Sequence, residues 1–234
     1  MDLIETSLVD PINHWYYAHK FWFIKNSAFW VETHNRLADI GAGSALFSKE
    51  LLKLNIVSEV VAVDTNYPVN LESDLVGLEF VQETEYKGFS HFLLTDVLEH
   101  VEDDQKFLEN IVSEAEINSK FIITVPALMI LWSGHDVYLK HYRRYTKSQL
   151  SFLAKSAGLE ISKVRYTYST VFPIAWLHRK LSRSQVAQSQ LKENSPVETL
   201  VLRALLLIDR IVSFMPFGVS LFLEGEKQFE KPKD

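Results

Sequence analysis

The stretch that decides the fold reads Leu37-Ala38-Asp39-Ile40-Gly41-Ala42-Gly43-Ser44. Its first half is apolar enough to form a buried strand, and Gly41 and Gly43 then allow a tight turn and a close approach of backbone to a ligand. Residues 45–54 continue with apolar side chains at helical spacing. A strand that passes through a glycine turn into a helix predicts the first unit of an α/β fold.

Strand and helix patterns alternate along the rest of the chain. The predicted strands are 36–40, 59–64, 78–81, 91–94, 121–125 and 159–166, and helices are predicted over 102–118 and 146–157. This alternation is typical of a mostly parallel α/β sheet with helices on both faces. Ligands of such sheets bind beyond the carboxyl ends of the strands, so we expect the chemistry in the loops after the strands.

Composition excludes several classes of protein. The chain has 234 residues, no Cys and a net charge of −6, with 47% hydrophobic residues. The lack of Cys excludes a disulfide scaffold, a thiolate metal site and a Cys nucleophile, and it suits a cytoplasmic protein. The acidic balance argues against a nucleic-acid partner. We expect no membrane span, no signal peptide and one domain over residues 1–234.

An acid at the end of the second strand indicates a nucleoside ligand. Asp64 follows the glycine turn by one helix and one strand, where a carboxylate can accept both hydroxyls of a ribose. A dinucleotide site would need a third glycine at the position of Leu46, and a phosphate loop would need a Gly-Lys-Ser/Thr sequence. Asp39 favours instead a cofactor that carries an amino-acid ammonium group.

These residues resemble the motifs of the class I S-adenosylmethionine (SAM) methyltransferases. The glycine stretch is similar to their first motif and residues 60–64 to their second, although Ala45 replaces a usual glycine. Thr95-Asp96-Val97-Leu98-Glu99-His100-Val101-Glu102-Asp103 resembles a signature of the ubiquinone-biosynthesis O-methyltransferase branch. Residues 133–136 and 141–145 resemble the segment after the fifth strand in a bacterial subgroup of the same branch. The resemblance implies a Rossmann-like, seven-stranded, mostly parallel sheet whose last strand, 218–227, is antiparallel.

The resemblance also implies a SAM-binding site, with S-adenosylhomocysteine as the product. The methionine part would lie against Asp39 and the glycine turn, the ribose against Asp64, and the adenine near Glu83. The cofactor-binding residues implied in this way are Asp39, Gly41, Ala42, Gly43, Asp64, Thr65, Glu83, Asp96 and Val97. Two other functions remain open, a non-catalytic SAM-fold binding protein and an NAD-dependent oxidoreductase.

A methyl acceptor that reacts through oxygen needs a base, and histidine titrates near neutral pH. His100, His135 and His141 follow strands four and five and are the catalytic candidates. The spacing of His135, Asp136 and His141 matches no metal site, and we expect no metal. Arg143 or Arg144 would clamp an anionic substrate group, or the two would form an ion pair and a solvated charge. The substrate-binding candidates are Trp15, Tyr138, Arg143, Arg144 and Tyr145.

Two apolar regions lie outside the predicted sheet. Residues 1–35 are rich in aromatic side chains and begin a helix at Asp10-Pro11, which would pack on the core or cover the cleft. Residues 167–217 form an insert, with a mobile basic loop over 177–194 and a helix over 196–214. The apolar stripe of this helix is broad enough to bury more than one side. Packing on the domain, a homodimer seam and a membrane surface remain alternatives, and a membrane would suit a lipid-linked acceptor.

Overall fold

One mixed sheet forms the centre of the molecule. The computed structural model describes residues 12–30, 35–181, 195–212 and 214–228. Within them the strands are β1 (Arg36–Ile40), β2 (Glu59–Val63), β3 (Leu78–Val81), β4 (His91–Thr95), β5 (Lys120–Pro126), β6 (Leu159–Thr167) and β7 (Ser220–Lys227). Their order is β3-β2-β1-β4-β5-β7-β6, and β7 runs antiparallel to both of its neighbours. The predicted sheet, with its antiparallel last strand, is confirmed.

Helices pack on both faces of this sheet. They are α1 (Trp15–Lys25), α2 (Leu46–Lys53), α3 (Asp104–Glu114), α4 (Gly134–Tyr138), α5 (Lys147–Ala157), α6 (Phe172–Leu181) and α7 (Pro196–Ile211). The predicted limits of α5 are confirmed, because Thr146 and Gln149 form a capping box and Gly158 ends the helix in a left-handed conformation. Helix α3 is shorter than predicted, since Asp103 is its N-cap and accepts a hydrogen bond from the Lys106 N–H.

The sheet has an apolar core on each face. The side chains of β1 alternate between the two, with Leu37 on one face and Ala38 and Ile40 on the other. Helices α3 and α5 cover the second face, and α1 and α2 cover the first. Because β1 is buried on both sides, its functional groups have to emerge at its carboxyl end.

Helix α1 packs on the apolar core of the sheet, which was one of the two alternatives for the aromatic region. It begins at Trp15, and the proposed start at Asp10-Pro11 lies outside the described residues. Tyr17, Phe21 and Phe23 are buried, whereas Trp15 and Trp22 of the predicted face are only half-buried. The heptad pattern therefore identified the covering helix but not the side that packs most deeply.

The insert differs from its prediction in two ways. Residues 177–181, predicted as part of a loop, are the last turns of α6, and residues 182–194 lie outside the described ranges. Helix α7 ends at Ile211 and buries a narrow side, with Leu206 and Asp209 enclosed. Within the described residues the apolar stripe is therefore buried on one side only, and a second buried side would need a partner beyond them. No helix of the described residues has the length and apolarity to cross a membrane.

A buried carboxylate on α7 explains which side faces inward. Asp209 is fully buried and accepts hydrogen bonds from the backbone N–H groups of Tyr168 (2.8 Å) and Ser169 (2.6 Å). Its Oδ2 also lies 2.9 Å from His19 Nε2 of α1. These partners lower the pKa of Asp209 against the opposing effect of burial. One carboxylate thus joins α1, the end of β6 and α7.

Substitution of this carboxylate should destabilise the whole domain. We expect Asp209→Ala to lower the free energy of unfolding by about 3–5 kcal/mol, because it leaves buried donors without an acceptor. Leu207→Ala on the same helix removes a 56% exposed side chain and should change it by less than about 0.5 kcal/mol. Urea unfolding of both variants measures the difference. Equal midpoints would contradict the anchoring role of Asp209.

Candidate functional site

A left-handed turn follows β1. Gly41 (φ 63°), Gly43 (φ 53°) and Ala45 (φ 53°) all have positive φ, so Ala45 adopts a conformation that glycine takes more easily. A side chain at Gly41 would meet the side chain of Val97, with its Cβ 2.7 Å from Cγ2. The loops after β1 and β4 therefore approach each other closely, and Gly41 is required for that approach.

Asp64 holds the turn against the end of β2. The N–H of Gly43 donates to Asp64 Oδ2 at 3.0 Å, and the backbone and side chain of Asn66 donate to Oδ1 at 2.9 and 3.1 Å. The Tyr67 hydroxyl donates to the carbonyl of Gly43 at 2.6 Å. Asp64 remains half-buried, so ligand hydroxyls can reach it. Thr65 and Glu83 are exposed in the loops after β2 and β3.

Asp39 lies one residue from the end of β1 and is buried. Its Oδ2 accepts a hydrogen bond from Ser48 Oγ at 2.6 Å. Burial raises the pKa of Asp39 to about 6, with a smaller contribution from the nearby charge of Asp64, and the Ser48 hydrogen bond partly opposes the rise. The hydroxyl of Ser44, in the adjacent turn, is buried and has no hydrogen-bond partner in the described ranges of the chain. An ammonium group placed here would stabilise the ionised carboxylate.

Asp96 follows β4 and is bonded to the covering helix. Its Oδ2 contacts Lys20 Nζ of α1, and its Oδ1 accepts from Thr124 Oγ1 at 3.1 Å. Lys20 Nζ also donates to the Tyr16 hydroxyl at 3.1 Å. The Lys20 ammonium lowers the pKa of Asp96 despite burial, and the carboxylate raises the pKa of Lys20. Sequence reasoning missed Lys20, a lysine within an aromatic helix.

Glu99 lies three residues beyond Asp96, in the 3₁₀ turn Leu98–His100. Its side chain is fully buried, and neither carboxylate oxygen has a hydrogen-bond partner among the described residues. Burial raises its pKa well above the ordinary value, and the charge of Asp96 adds to the rise. This residue belongs to the signature motif, but it was not among the candidates. The available signal was an acid directly after Leu98 and two residues before Val101.

Two of the three candidate histidines lie together. The rings of His100 and His141 are in edge contact, with centroids 4.6 Å apart. His141 Nδ1 lies 3.1 Å from Asp136 Oδ1, which leaves Nε2 as the nitrogen for a ligand or a substrate proton. His135 is half-buried on α4, one residue before Asp136. The loops after β4 and β5 are thus in contact through the rings of His100 and His141.

The arginines and Tyr145 have partners within the chain. Arg144 is buried and donates through Nε to Asp136 at 2.6 Å, which together with His141 lowers the pKa of that carboxyl. Arg143 Nη1 lies 2.8 Å from Asp104 Oδ1, and the Tyr145 hydroxyl donates to Asp104 Oδ2 at 2.6 Å. These contacts favour ion pairing over an anion clamp, but both arginines are paired, whereas the alternative expected one ion pair and one solvated charge.

The remaining substrate candidates are not brought together. Tyr138 is half-buried at the end of α4, whereas Trp15 belongs to the apolar cluster that α1 forms with α7. The site therefore consists of a glycine turn, acids after β1, β2 and β4, and a histidine pair. An acid-rich site of this kind suits a ligand with positive charge and opposes a pyrophosphate.

Comparisons with known proteins support the fold. No family model matches the chain, and no curated protein matches it. A chain in the complex of the Haloferax volcanii Trm112 methyltransferase activator with a protein assigned as a methyltransferase is similar over 92% of this chain and 91% of its own length. The identity is 14% and the TM-score 0.58.

Two further structures show the same similarity. The [4+2]-cyclase SpnF matches 91% of this chain and 82% of its own, at 12% identity and a TM-score of 0.56. A Galdieria sulphuraria protein assigned as a sarcosine dimethylglycine methyltransferase matches 90% and 85%, at 12% identity and 0.54. At such identities the similarity shows the fold alone, and the cyclase illustrates that this fold serves more than one reaction. The chain has the Rossmann-like fold of the SAM-dependent methyltransferases.

Proposed function

We propose that residues 1–234 form one SAM-dependent methyltransferase domain, with a cover over residues 1–35 and an insert over 167–217. The observation that carries this proposal is the acid-lined glycine turn, in which Gly43 and Asp64 are hydrogen-bonded and Asp39 is a buried carboxyl with a raised pKa. A positively charged cofactor with an amino-acid end fits these groups. Leu46 at the start of α2 and the surrounding acids both oppose a dinucleotide.

The same residues would divide the cofactor between them. Asp39 and the turn Gly41-Ala42-Gly43 would hold the methionine part, with Ser44 Oγ as a further polar group beside it. Asp64 would accept the ribose hydroxyls, while Thr65 and Glu83 would flank the adenosine. Asp96 and Val97 would line the methionine side from the loop after β4. Bound SAM supplies an activated methyl group, so the protein mainly orients the acceptor and excludes water.

We infer that the acceptor atom is oxygen in a small or lipid-linked molecule. His100, His135 and His141 lie in the loops after β4 and β5, where a base for a hydroxyl proton would be needed. A non-catalytic SAM-binding protein would use the same cofactor residues but would need no histidines near the acceptor. Methyl transfer in a screen of hydroxylated acceptors would distinguish the two.

Asp64 provides the direct test of cofactor binding. We expect Asp64→Ala to weaken S-adenosylhomocysteine binding about 10–100-fold, because it removes charge-assisted hydrogen bonds to the ribose and frees the Gly43 turn. Titration calorimetry measures the affinity, with the exposed Asp74→Ala as the matched control. An unchanged affinity in Asp64→Ala would contradict this site, and wild-type protein that binds neither SAM nor its product would overturn the function.

The raised pKa of Asp39 predicts proton release on binding. A carboxyl of pKa about 6 is half-protonated at pH 6, and a cofactor ammonium beside it favours the ionised form. Calorimetry at pH 6 in two buffers of different ionisation enthalpy should show release of about half a proton, which fades above about pH 7. Asp39→Asn should abolish the release. Proton uptake at pH 6, or the same release in the variant, would contradict the contact.

The exposed faces of α6 and α7 favour a position at a membrane surface. Val197 (71% exposed), Leu200 (69%) and Ile211 (84%) lie on α7, and Leu181 (74%) lies at the end of α6. The last turn of α6 is basic and includes Lys180. An apolar face beside positive charge suits anionic lipid, so we propose peripheral membrane contact and an acceptor delivered from lipid.

Liposome flotation tests this contact. Wild-type protein should float with anionic vesicles and less with neutral ones, and Leu200→Asp should reduce flotation at least about fivefold because it places a charge in the lipid-facing surface. Phe152→Asp is the matched control, since Phe152 is 71% exposed on α5, away from the insert. Absence of flotation together with a dimer in sedimentation would assign the same face to a second copy instead.

A further inference from the structure

Glu99 is a fully buried acid whose oxygens accept no hydrogen bond from the part of the chain that the structure describes. Burial of an unpaired negative charge is costly. The nearby ammonium of Lys20 already contacts Asp96 and Tyr16. Among the described residues no other cation is in contact with the Glu99 carboxylate, so a proton or a bound cation would stabilise it.

The neighbours of Glu99 are metal-ligating groups. One oxygen of Glu99, one ring nitrogen of His100 and one of His141 all lie within 4.8 Å of one another. The N–H of Tyr142 donates to the carbonyl of Glu99 at 2.8 Å, which fixes the segment of His141 against the 3₁₀ turn. Two imidazoles and one carboxylate form a donor set that suits Zn²⁺, Co²⁺ or another divalent transition metal.

A second carboxylate orients one of these ligands. Asp136 Oδ1 lies 3.1 Å from His141 Nδ1, and Asp136 is itself held by Arg144 and by the N–H of Ser133. Metal-bound histidines commonly have this kind of carboxylate partner on the other ring nitrogen, since it fixes the tautomer and the ring orientation. The arrangement leaves His141 Nε2 for an ion, on the side of its ring opposite to Nδ1.

We propose that Glu99, His100 and His141 bind one divalent transition-metal ion. Ligands about 2.1 Å from an ion lie roughly 3–3.5 Å apart, so the three donor atoms have to move together slightly when the ion binds. His100 is the exposed member of the three. This set replaces the trio of His135, Asp136 and His141 that was rejected from the sequence, because Asp136 supports a ligand and Glu99 supplies the missing carboxylate.

The position of the ion would give it a role in acceptor binding. Asp96 lies close enough to Glu99 for the two negative charges to repel each other. Since Asp96 is proposed to line the methionine part of the cofactor, the metal site would adjoin that part. An ion with three protein ligands keeps positions for an acceptor oxygen, and it would lower the pKa of a bound hydroxyl. This role rests on the proposed methyl transfer, whereas binding of the ion does not.

Co²⁺ binding tests the proposal without any enzyme assay. Tag-free full-length protein, first stripped with a chelator, is titrated with Co²⁺ and followed by calorimetry and by the visible absorption of the bound ion. We expect one ion per chain in the wild type. Glu99→Gln and His141→Gln should each weaken binding at least about 100-fold, and His178→Gln, at an exposed histidine of α6, should not.

The outcomes separate this proposal from the function. No Co²⁺ binding by the wild type, or unchanged binding in both ligand variants, would overturn the metal site. S-adenosylhomocysteine titrated into each variant reports whether its fold is intact and tests the cofactor site separately. If the wild type binds S-adenosylhomocysteine but not Co²⁺, the metal site alone is overturned. If it binds Co²⁺ but not S-adenosylhomocysteine, the methyltransferase function alone is overturned.

Discussion

β1 has a parallel neighbour on each side, and that placement determines where a ligand can bind. The chain leaves β1 through α2 to reach β2 on one side, and it later returns from β3 to form β4 on the other. Where two connections diverge in this way, such sheets bind ligands in a crevice beyond the carboxyl ends of the two strands, here β1 and β4. Gly41 and Val97 meet there, and they set how closely the two loops approach.

Negative charge gathers around this crevice. Asp39 and Asp64 enter from β1 and β2, and Asp96 and Glu99 enter from the loop after β4. Lys20 of α1 balances Asp96, so the covering helix is tied to the site by charge as well as by apolar contact. The other three acids, Asp39, Asp64 and Glu99, explain why the geometry favours a cationic cofactor and also a metal ion as ligands.

Local signals in the sequence predicted the regular elements well. The bounds of β1, β3 and α5 follow from the glycine turn, the apolar runs and the capping box, and each of these acts over a few residues. The positions proposed for cofactor contact also follow from local motifs. The structure brings the turn, Asp64 and Asp96 to one edge of the sheet, as parallel strands require.

What the sequence did not predict depends on pairs that are distant along the chain. Lys20 and Asp96 are 76 residues apart, and His19 and Asp209 are 190 apart, so neither pair has a local pattern. The sequence shows the apolar residues of α7, but it does not show that the buried side of the helix is the one that carries Asp209. The internal partners of Arg144 were likewise hidden, because an arginine pair has the same sequence whether it binds substrate or Asp136.

The central claim is that the crevice beyond β1 and β4 binds SAM. A crystal structure of the protein grown with S-adenosylhomocysteine tests it most directly. The account predicts the ribose hydroxyls against the Asp64 carboxylate and the ammonium group beside Asp39. The sulfur of S-adenosylhomocysteine would face the loop that carries Glu99 and His100. A ligand bound elsewhere, or a crevice closed around Lys20 and Asp96 with no ligand at saturating concentration, would contradict the account.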